Sequence, residues 1–363
     1  MDRKLRFQIV SAPAVLLVGL ILSCGRNATS PPPPPPGSAA NLAVVKVFYA
    51  TDRKPSPEAV INFEGQRGDG SLHYGVFQVS IPRDHRLAKI ERPSIWRFEF
   101  KEDPAKHFVI VSRTAQDEAA FYQEVSKTVE DSGEKQVLVF IHGFNVGFVD
   151  AVYRTAQISY DLGFSGAPIL YSWPSNGKVQ DYTWDLTAND WSVPHLRAFL
   201  ESVATRTGAH TVHVIAHSMG NRVLVNALSG MRQPASPHFQ HVLLTAPDID
   251  AGTFIQLADA VKGHADNVTL YASSNDRALL ASRKINGAPR AGDAGNNIVI
   301  VPGIDTIDVS SLDTDFLGHS YYGDNRSVLT DIFNLLAKGD SPDKRFGLRK
   351  AGVAPKLYWR FAP

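Results

Sequence analysis

From Gln136 onward the chain alternates between two textures. Short unbroken apolar runs occupy residues 137–141, 169–171, 212–215, 242–244, 268–271 and 298–301. Runs of this kind suit strands covered on both faces, as in a parallel sheet. Longer segments separate them, with apolar residues at helical spacing. One carries Val152, Ala156 and Tyr160 with Ile158 and Leu162; another carries Leu196, Phe199, Leu200 and Val203. Strand then helix, repeated, predicts an α/β fold: a mostly parallel central sheet with helices on both faces. Before Gln136 the texture differs. Residues 44–49, 74–82, 96–100 and 108–112 are short alternating or apolar runs with turn residues between them. They predict an antiparallel N-terminal edge to the sheet, followed by a helix over about 115–131. A final helix is expected over 327–336.

The N-terminus has a pattern of its own. Arg3, Lys4 and Arg6 precede an apolar run over residues 9–22. That run is too short to cross a bilayer comfortably but suits the apolar core of a signal peptide. It ends in Ile21-Leu22-Ser23-Cys24-Gly25, which resembles a bacterial lipoprotein box, and Cys24 is the one cysteine in the chain. Lipidation of Cys24 would explain both its place and its solitude. Removal of the leader near Ala28, or retention of the run as a membrane anchor, are the alternatives. Pro31 to Pro36 then form an unbroken proline run, expected to act as a stiff extended spacer. The expected organisation is a leader over 1–24, a proline-rich linker over 25–41, an α/β domain over 42–345 and a C-terminal tail over 346–363. The expected location is the bacterial cell envelope, with the lipid on Cys24 making the membrane contact, or otherwise secretion.

Composition narrows the function classes. At 363 residues and 44% apolar content, the chain can bury one large core. The net charge of +1 supplies no global field to attract nucleic acid. With a single cysteine there can be no intrachain disulfide. No Cys/His cluster of metal-binding spacing occurs, and Met219-Gly220-Asn221 lacks the lysine of a phosphate-binding loop, so neither metal nor cofactor is implied.

In an open α/β sheet, functional groups gather where the strands end. After 212–215 comes Ala216-His217-Ser218-Met219-Gly220-Asn221, then a helical pattern. This is a sharp strand-to-helix turn holding Ser218 between small residues, which projects a hydroxyl above the sheet. Ser218 is therefore the candidate nucleophile. After 137–141 comes His142-Gly143-Phe144-Asn145. The backbone N–H groups of Phe144 and Met219 are the expected oxyanion hole. His142, Asn145 and Trp173 are possible pocket residues, although His142 also reads as a histidine pinning its own loop, and Trp173 as packing in a tight turn. Tyr182, Trp184 and Trp191 lie in a segment that reads either as a lid or as a helix packed on the sheet. A serine needs a base and the base an orienting carboxylate, in the chain order serine, acid, histidine. Asp276 follows the run at 268–271 and His319 precedes the last helix. Asp276 is the favoured acid. Asp248 and Asp250 are alternatives from the preceding strand end, and Asp250 also suits a helix N-cap.

Six segments in order carry a family resemblance. They are Val47 to Arg53, Phe140 to Asn145, Tyr171 to Ser175, Ala216 to Asn221, Ala246 to Asp250 and Tyr271 to Asp276. Over about residues 44–340 the chain resembles bacterial α/β-hydrolases of the group known as domain of unknown function 900. The resemblance implies an α/β-hydrolase fold, esterase- or lipase-like, with a Ser-Asp-His triad. It names no physiological substrate. The expected activity is cleavage of a small carboxylic ester through an acyl-enzyme on Ser218. The rival readings are an amidase or peptidase on the same triad, and an envelope-associated binding lipoprotein whose site is idle.

Overall fold

The computed structural model describes residues 42–362, apart from 57–62, 95–98, 233–237 and 313–325. The leader, Cys24, the proline run and His319 lie outside the described residues. So do Trp96, Arg97 and Phe98 of the run expected over 96–100.

The strands in chain order are β1 (Ala43–Thr51), β2 (Arg53–Pro55), β3 (Phe63–Arg67), β4 (His73–Ile81), β5 (Val109–Gln116), β6 (Gln136–Ile141), β7 (Ala167–Ser172), β8 (Thr211–His217), β9 (Phe239–Thr245), β10 (Ala265–Ala272), β11 (Asp305–Asp308), β12 (Leu348–Val353) and β13 (Lys356–Phe361). The helices are α1 (Glu118–Asp131), α2 (Phe148–Asp161), α3 (Tyr182–Arg206), α4 (Gly220–Ser229), α5 (Ala251–Lys262), α6 (Arg277–Asn286) and α7 (Arg326–Lys338). Eleven strands form one sheet in the order β12-β13-β11-β10-β9-β8-β6-β7-β1-β4-β5, and β2 and β3 form a small antiparallel pair. Pairing is parallel from β1 through β7, β6, β8, β9, β10 and β11 to β13. It is antiparallel at β4 and β5 on one edge and at β12 on the other. This is the α/β-hydrolase architecture with the antiparallel N-terminal edge that the sequence predicts.

Two apolar cores sandwich the sheet. Strand residues such as Val139, Val214 and Val242 meet α1, α3, α4 and α5 on one face. Alternate residues such as Leu138, Ile215 and Leu243 meet α2 and α7 on the other. Burial on both faces explains why the central strands read as continuous apolar runs. Helix α1 starts where the Asp117 carboxylate accepts the Ala120 N–H at 2.8 Å. It then buries Phe121, Tyr122, Val125 and Val129.

Three expectations need correction. Residues 298–301 are not a strand: Val299 and Val301 pack into the core beneath the sheet. The strand in that position is β11, a few residues later, where Asp305–Asp308 pairs with β10. Its Thr306 hydroxyl donates to the Val299 carbonyl at 2.8 Å, tying strand and run together. Helix α6 stands where the sequence predicts no helix; it is short and buries only Leu279 and Ser282. Residues 346–363 are no loose tail, because β12 and β13 extend the sheet beyond β11.

The first turns after β4 are fastened to α2 by a histidine. His85 Nδ1 lies 2.9 Å from Glu91 Oε2, and Nε2 lies 2.7 Å from Asp161 Oδ1. Asp161 also accepts the Ala88 N–H at 2.7 Å. Burial opposes a charge on the ring, but hydrogen bonds to Asp161 and Glu91 prevail and raise its pKa to about 9. A raised folded pKa contributes stability that is complete below about pH 6.5 and is lost as pH rises through about 9. His85→Ala is therefore expected to cost roughly 2 kcal/mol near pH 6. Urea melts across pH should show the deficit shrinking between about pH 6.5 and 9 and smallest above that; a deficit independent of pH contradicts a charged clamp.

Candidate active site

The sheet ends in three sharp reversals on neighbouring strands. Asn145 follows β6, Ser218 follows β8 and Ala246 follows β9, with φ of 60°, 51° and 46°. Left-handed backbone is costly for residues with a side chain, and such strain persists only where the surroundings over-determine it. At Ser218 they do. Its N–H donates to the Thr245 carbonyl at 2.9 Å, and its own carbonyl accepts the Asn221 and Asp248 N–H groups, each at 3.1 Å. The buried Asn221 amide adds bonds to the carbonyls of Ser218 at 3.0 Å and Thr245 at 3.1 Å. The Ser218 side chain is half-buried at the start of α4.

Close approach makes glycine necessary beside this turn. A Cβ on Gly220 would sit 2.4 Å from the His142 carbonyl oxygen and 2.8 Å from that of Ile141. A Cβ on Gly143 would sit 2.9 Å from both Ser218 Cβ and His217 Nδ1. The loop after β6 thus lies in van der Waals contact with Ser218. Among the described residues, the Phe144 and Met219 N–H groups have no hydrogen-bond acceptor.

Beneath that loop lies a buried polar cluster centred on Arg53. Its Nε donates to Ser172 Oγ at 2.9 Å and its Nη1 to the Ser175 carbonyl at 2.8 Å. Its Nη2 donates to the Val146 carbonyl at 2.8 Å and lies 3.2 Å from His142 Nε2. Burial lowers the guanidinium pKa to about 10, against the pull of Asp52 and Asp185, so it remains charged at neutral pH. The His142 pKa is driven well below its ordinary value, first by burial and then by Arg53, so its ring is neutral. With Arg53 donating towards Nε2, the proton is assigned to Nδ1, which donates to the Gly143 carbonyl at 2.8 Å. Trp173 is fully buried, stacks on His142 at 5.1 Å and donates from Nε1 to the His142 carbonyl at 2.8 Å. His142 and Trp173 therefore shape the loop from below rather than presenting surface to a ligand. The Asn145 side of the loop is held by Asp185, whose carboxylate accepts Ser175 Oγ at 2.6 Å and the Asn176 N–H at 3.0 Å. Burial raises the Asp185 pKa, partly countered by bonds from Ser175, Asn176 and the Asn145 N–H.

The three candidate acids have different surroundings. Asp248 is buried, and its carboxylate accepts Ser282 Oγ at 2.5 Å, Arg290 Nε at 2.7 Å and Tyr182 Oη at 2.9 Å. Asp250 caps α5 by accepting the Thr253 N–H at 2.8 Å. Asp276 is half-buried at the start of α6, where one carboxylate oxygen accepts the Ala278 and Leu279 N–H groups at 2.9 and 3.0 Å. Tyr182 packs edge-on against Phe144, and Trp184 and Trp191 follow it in the continuous helix α3. A cavity of about 470 Å³ opens elsewhere, between Tyr49, Phe63, Leu72, Tyr74 and Gln116, and does not include Ser218.

A family model described as "Alpha/beta hydrolase of unknown function (DUF900)" matches residues 117–338. The chain belongs to this family. An uncharacterized protein of Nostoc sp. is 23% identical over 180 residues, 41% of this chain and 47% of that relative. The match thus spans about half of the relative's length. Among solved structures, a putative cell surface hydrolase from Lactobacillus plantarum aligns with 12% identity and a TM-score of 0.37, covering 58% of this chain and 95% of its own. A lipase-esterase related protein from Clostridium acetobutylicum aligns with 10% identity and a TM-score of 0.32, covering 56% and 95%.

Of the site residues expected from sequence, Ser218, Phe144, Met219, His142, Asn145 and Trp173 come together around the ends of β6 and β8. His319 lies outside the described residues. Sequence reasoning missed Arg53, Asp185 and Asn221; Arg53 and Asn221 sit inside motifs that carried the family resemblance, without a role assigned. Arg53→Lys removes the fork that reaches Ser172, Ser175 and Val146 together. It should cost about 3 kcal/mol of stability by chemical denaturation, and wild-type stability would mean that the cluster is not a support. Gly220→Ala should cost roughly 2–3 kcal/mol, because β6 and α4 must separate to admit the methyl group. A melting temperature equal to wild type counts against the close approach.

Proposed function

We propose that this α/β-hydrolase cleaves small carboxylic esters, with Ser218 as nucleophile, His319 as general base and then general acid, and Asp276 orienting the histidine. The observation that carries the reading is the left-handed Ser218 at the β8–α4 junction, packed against the Gly143 loop. That conformation costs free energy and sets the serine at the N-terminus of α4, beside a loop whose Phe144 N–H, like that of Met219, has no acceptor among the described residues. Ser218 Oγ attacks the ester carbonyl as His319 takes its proton. The developing oxyanion is held by the Phe144 and Met219 N–H groups. The protonated histidine hands its proton to the leaving alcohol, and water then hydrolyses the acyl-enzyme by the same steps in reverse. Asp276 is favoured as the acid because it stands half-buried just past the end of β10, whereas Asp248 is buried with both carboxylate oxygens bonded to Arg290, Ser282 and Tyr182. In this reading the mature protein is held at a bacterial envelope membrane by a lipid on Cys24, with the proline run as spacer.

Ser218→Ala should abolish labelling by a fluorophosphonate and lower p-nitrophenyl ester hydrolysis by a factor on the order of 10⁴ or more, with the fold intact by circular dichroism. Intact labelling of that variant refutes the assignment. Turnover of amides in place of esters transfers the triad to an amidase, and inertness toward every acyl length favours an idle binding protein. Asp276→Asn should lower turnover with little change in stability, whereas Asp248→Asn should act mainly on stability. The rate should rise with pH through about 6 to 8 as His319 loses its proton. A flat profile across that range removes a histidine base from the mechanism.

A further inference from the structure

Charge is distributed unevenly along this chain. Six of its 37 basic residues and none of its 36 acidic ones fall in residues 344–363, so the preceding part is net −5. Arg345 is buried and lies 3.1 Å from Asp331. The other five, Lys344, Arg349, Lys350, Lys356 and Arg360, are all exposed on or beside the β12–β13 hairpin. Among the described residues, none of these five has a carboxylate within 4.0 Å.

The register sharpens this. Arg349 stands directly opposite Arg360, and Val353 opposite Lys356, on one face of the hairpin. Like charges directly opposed across an antiparallel pair destabilise it. Asp308 is the next residue in the row, on β11, but its carboxylate accepts the Ser310 N–H at 2.9 Å instead. Asp343 feels Lys344 and Lys350 weakly and takes its main hydrogen bond from Ser341. Among the described residues, the hairpin thus carries a cationic ridge without a direct carboxylate partner on the edge strand of the sheet. Apolar groups stand among the cations: Phe346 is 85% exposed, Val353 81% and Leu357 39%. Val353 and Leu357 flank the hairpin tip, and Phe346 precedes β12.

We propose that the β12–β13 hairpin docks on a bilayer surface rich in anionic lipid. Cations alone suit any polyanion. Cations interspersed with exposed phenylalanine, valine and leucine suit a surface that is negatively charged outside and apolar just beneath. Each Lys or Arg near such a surface contributes attraction that salt screens, and Phe346 and Val353 reach past the headgroups. The contact is independent of any lipid on Cys24. It would turn one edge of the sheet towards the membrane.

The test is vesicle co-sedimentation of the full chain carrying Cys24→Ser, so that no acyl group contributes. Vesicles of phosphatidylcholine alone are compared with vesicles that also contain phosphatidylglycerol, at low and raised salt. The anion-dependent part of binding should fall about tenfold or more in Arg349→Glu/Lys356→Glu/Arg360→Glu. It should fall several-fold in Phe346→Ser/Val353→Ser, with the salt dependence retained. Thermal melting should match the parent for both variants; if the charge variant melts early, Arg349→Gln/Arg360→Gln replaces it, with a smaller loss in the same direction. Equal binding to both vesicle types overturns the proposal. So does an apolar variant that binds as well as the parent while heparin competes fully, since the ridge would then be a general polyanion site.

Discussion

One buried guanidinium holds the working end of this sheet together. Arg53 enters from the end of β1 and bonds to groups on the loops after β6 and β7, sequence segments roughly a hundred residues away. A charge in that position is costly unless each of its donors finds an acceptor. The chain meets that demand mostly with backbone carbonyls and serine hydroxyls, leaving Asp52 and Asp185 as longer-range counter-charges. The arrangement also fixes the tautomer of His142, and through it the Gly143 carbonyl that accepts from Nδ1. The shape of the loop over the serine is thus set from underneath by a residue that has no access to a ligand.

A second buried cluster links the serine to the neighbouring turns. The Asp248 N–H bonds to the Ser218 carbonyl, while its carboxylate takes Ser282 from α6, Tyr182 from α3 and Arg290 from the segment after α6. That segment threads back between strand ends, where the Gly292 N–H donates to the Pro247 carbonyl and the Ser273 N–H to the Gly292 carbonyl. Asp276 heads the same helix that Ser282 anchors. In the proposed mechanism, the spacing of acid and nucleophile is therefore held by Asp248, a residue that reads in sequence as a rival acid.

The central strands were legible because burial on both faces forces unbroken apolar runs, and the serine turn because its small neighbours are a steric requirement. Legibility failed where burial is one-sided or slight. Strand β11 offers only Thr306 and Ile307 to the core, so the more apolar 298–301 attracted the assignment. Helix α6 is short, polar on average and buries only two residues. The hairpin β12–β13 is basic and exposed on an edge, and its alternation is hidden by Lys350 and Arg360. Arg53 was invisible as a support because nothing in a local sequence window reveals partners on two distant loops.

Ser218 and Ala246 end β8 and β9 at the same level of the sheet, and left-handed Asn145 turns the loop that follows β6. The rim they make does not depend on what the chain does beyond it. Loops leaving such a rim can lengthen, shorten or change composition while the reacting hydroxyl and the amides beside it keep their places. A scaffold of this kind separates the inheritance of chemistry from the inheritance of selectivity: the first is written in a handful of turns, the second in the segments between them.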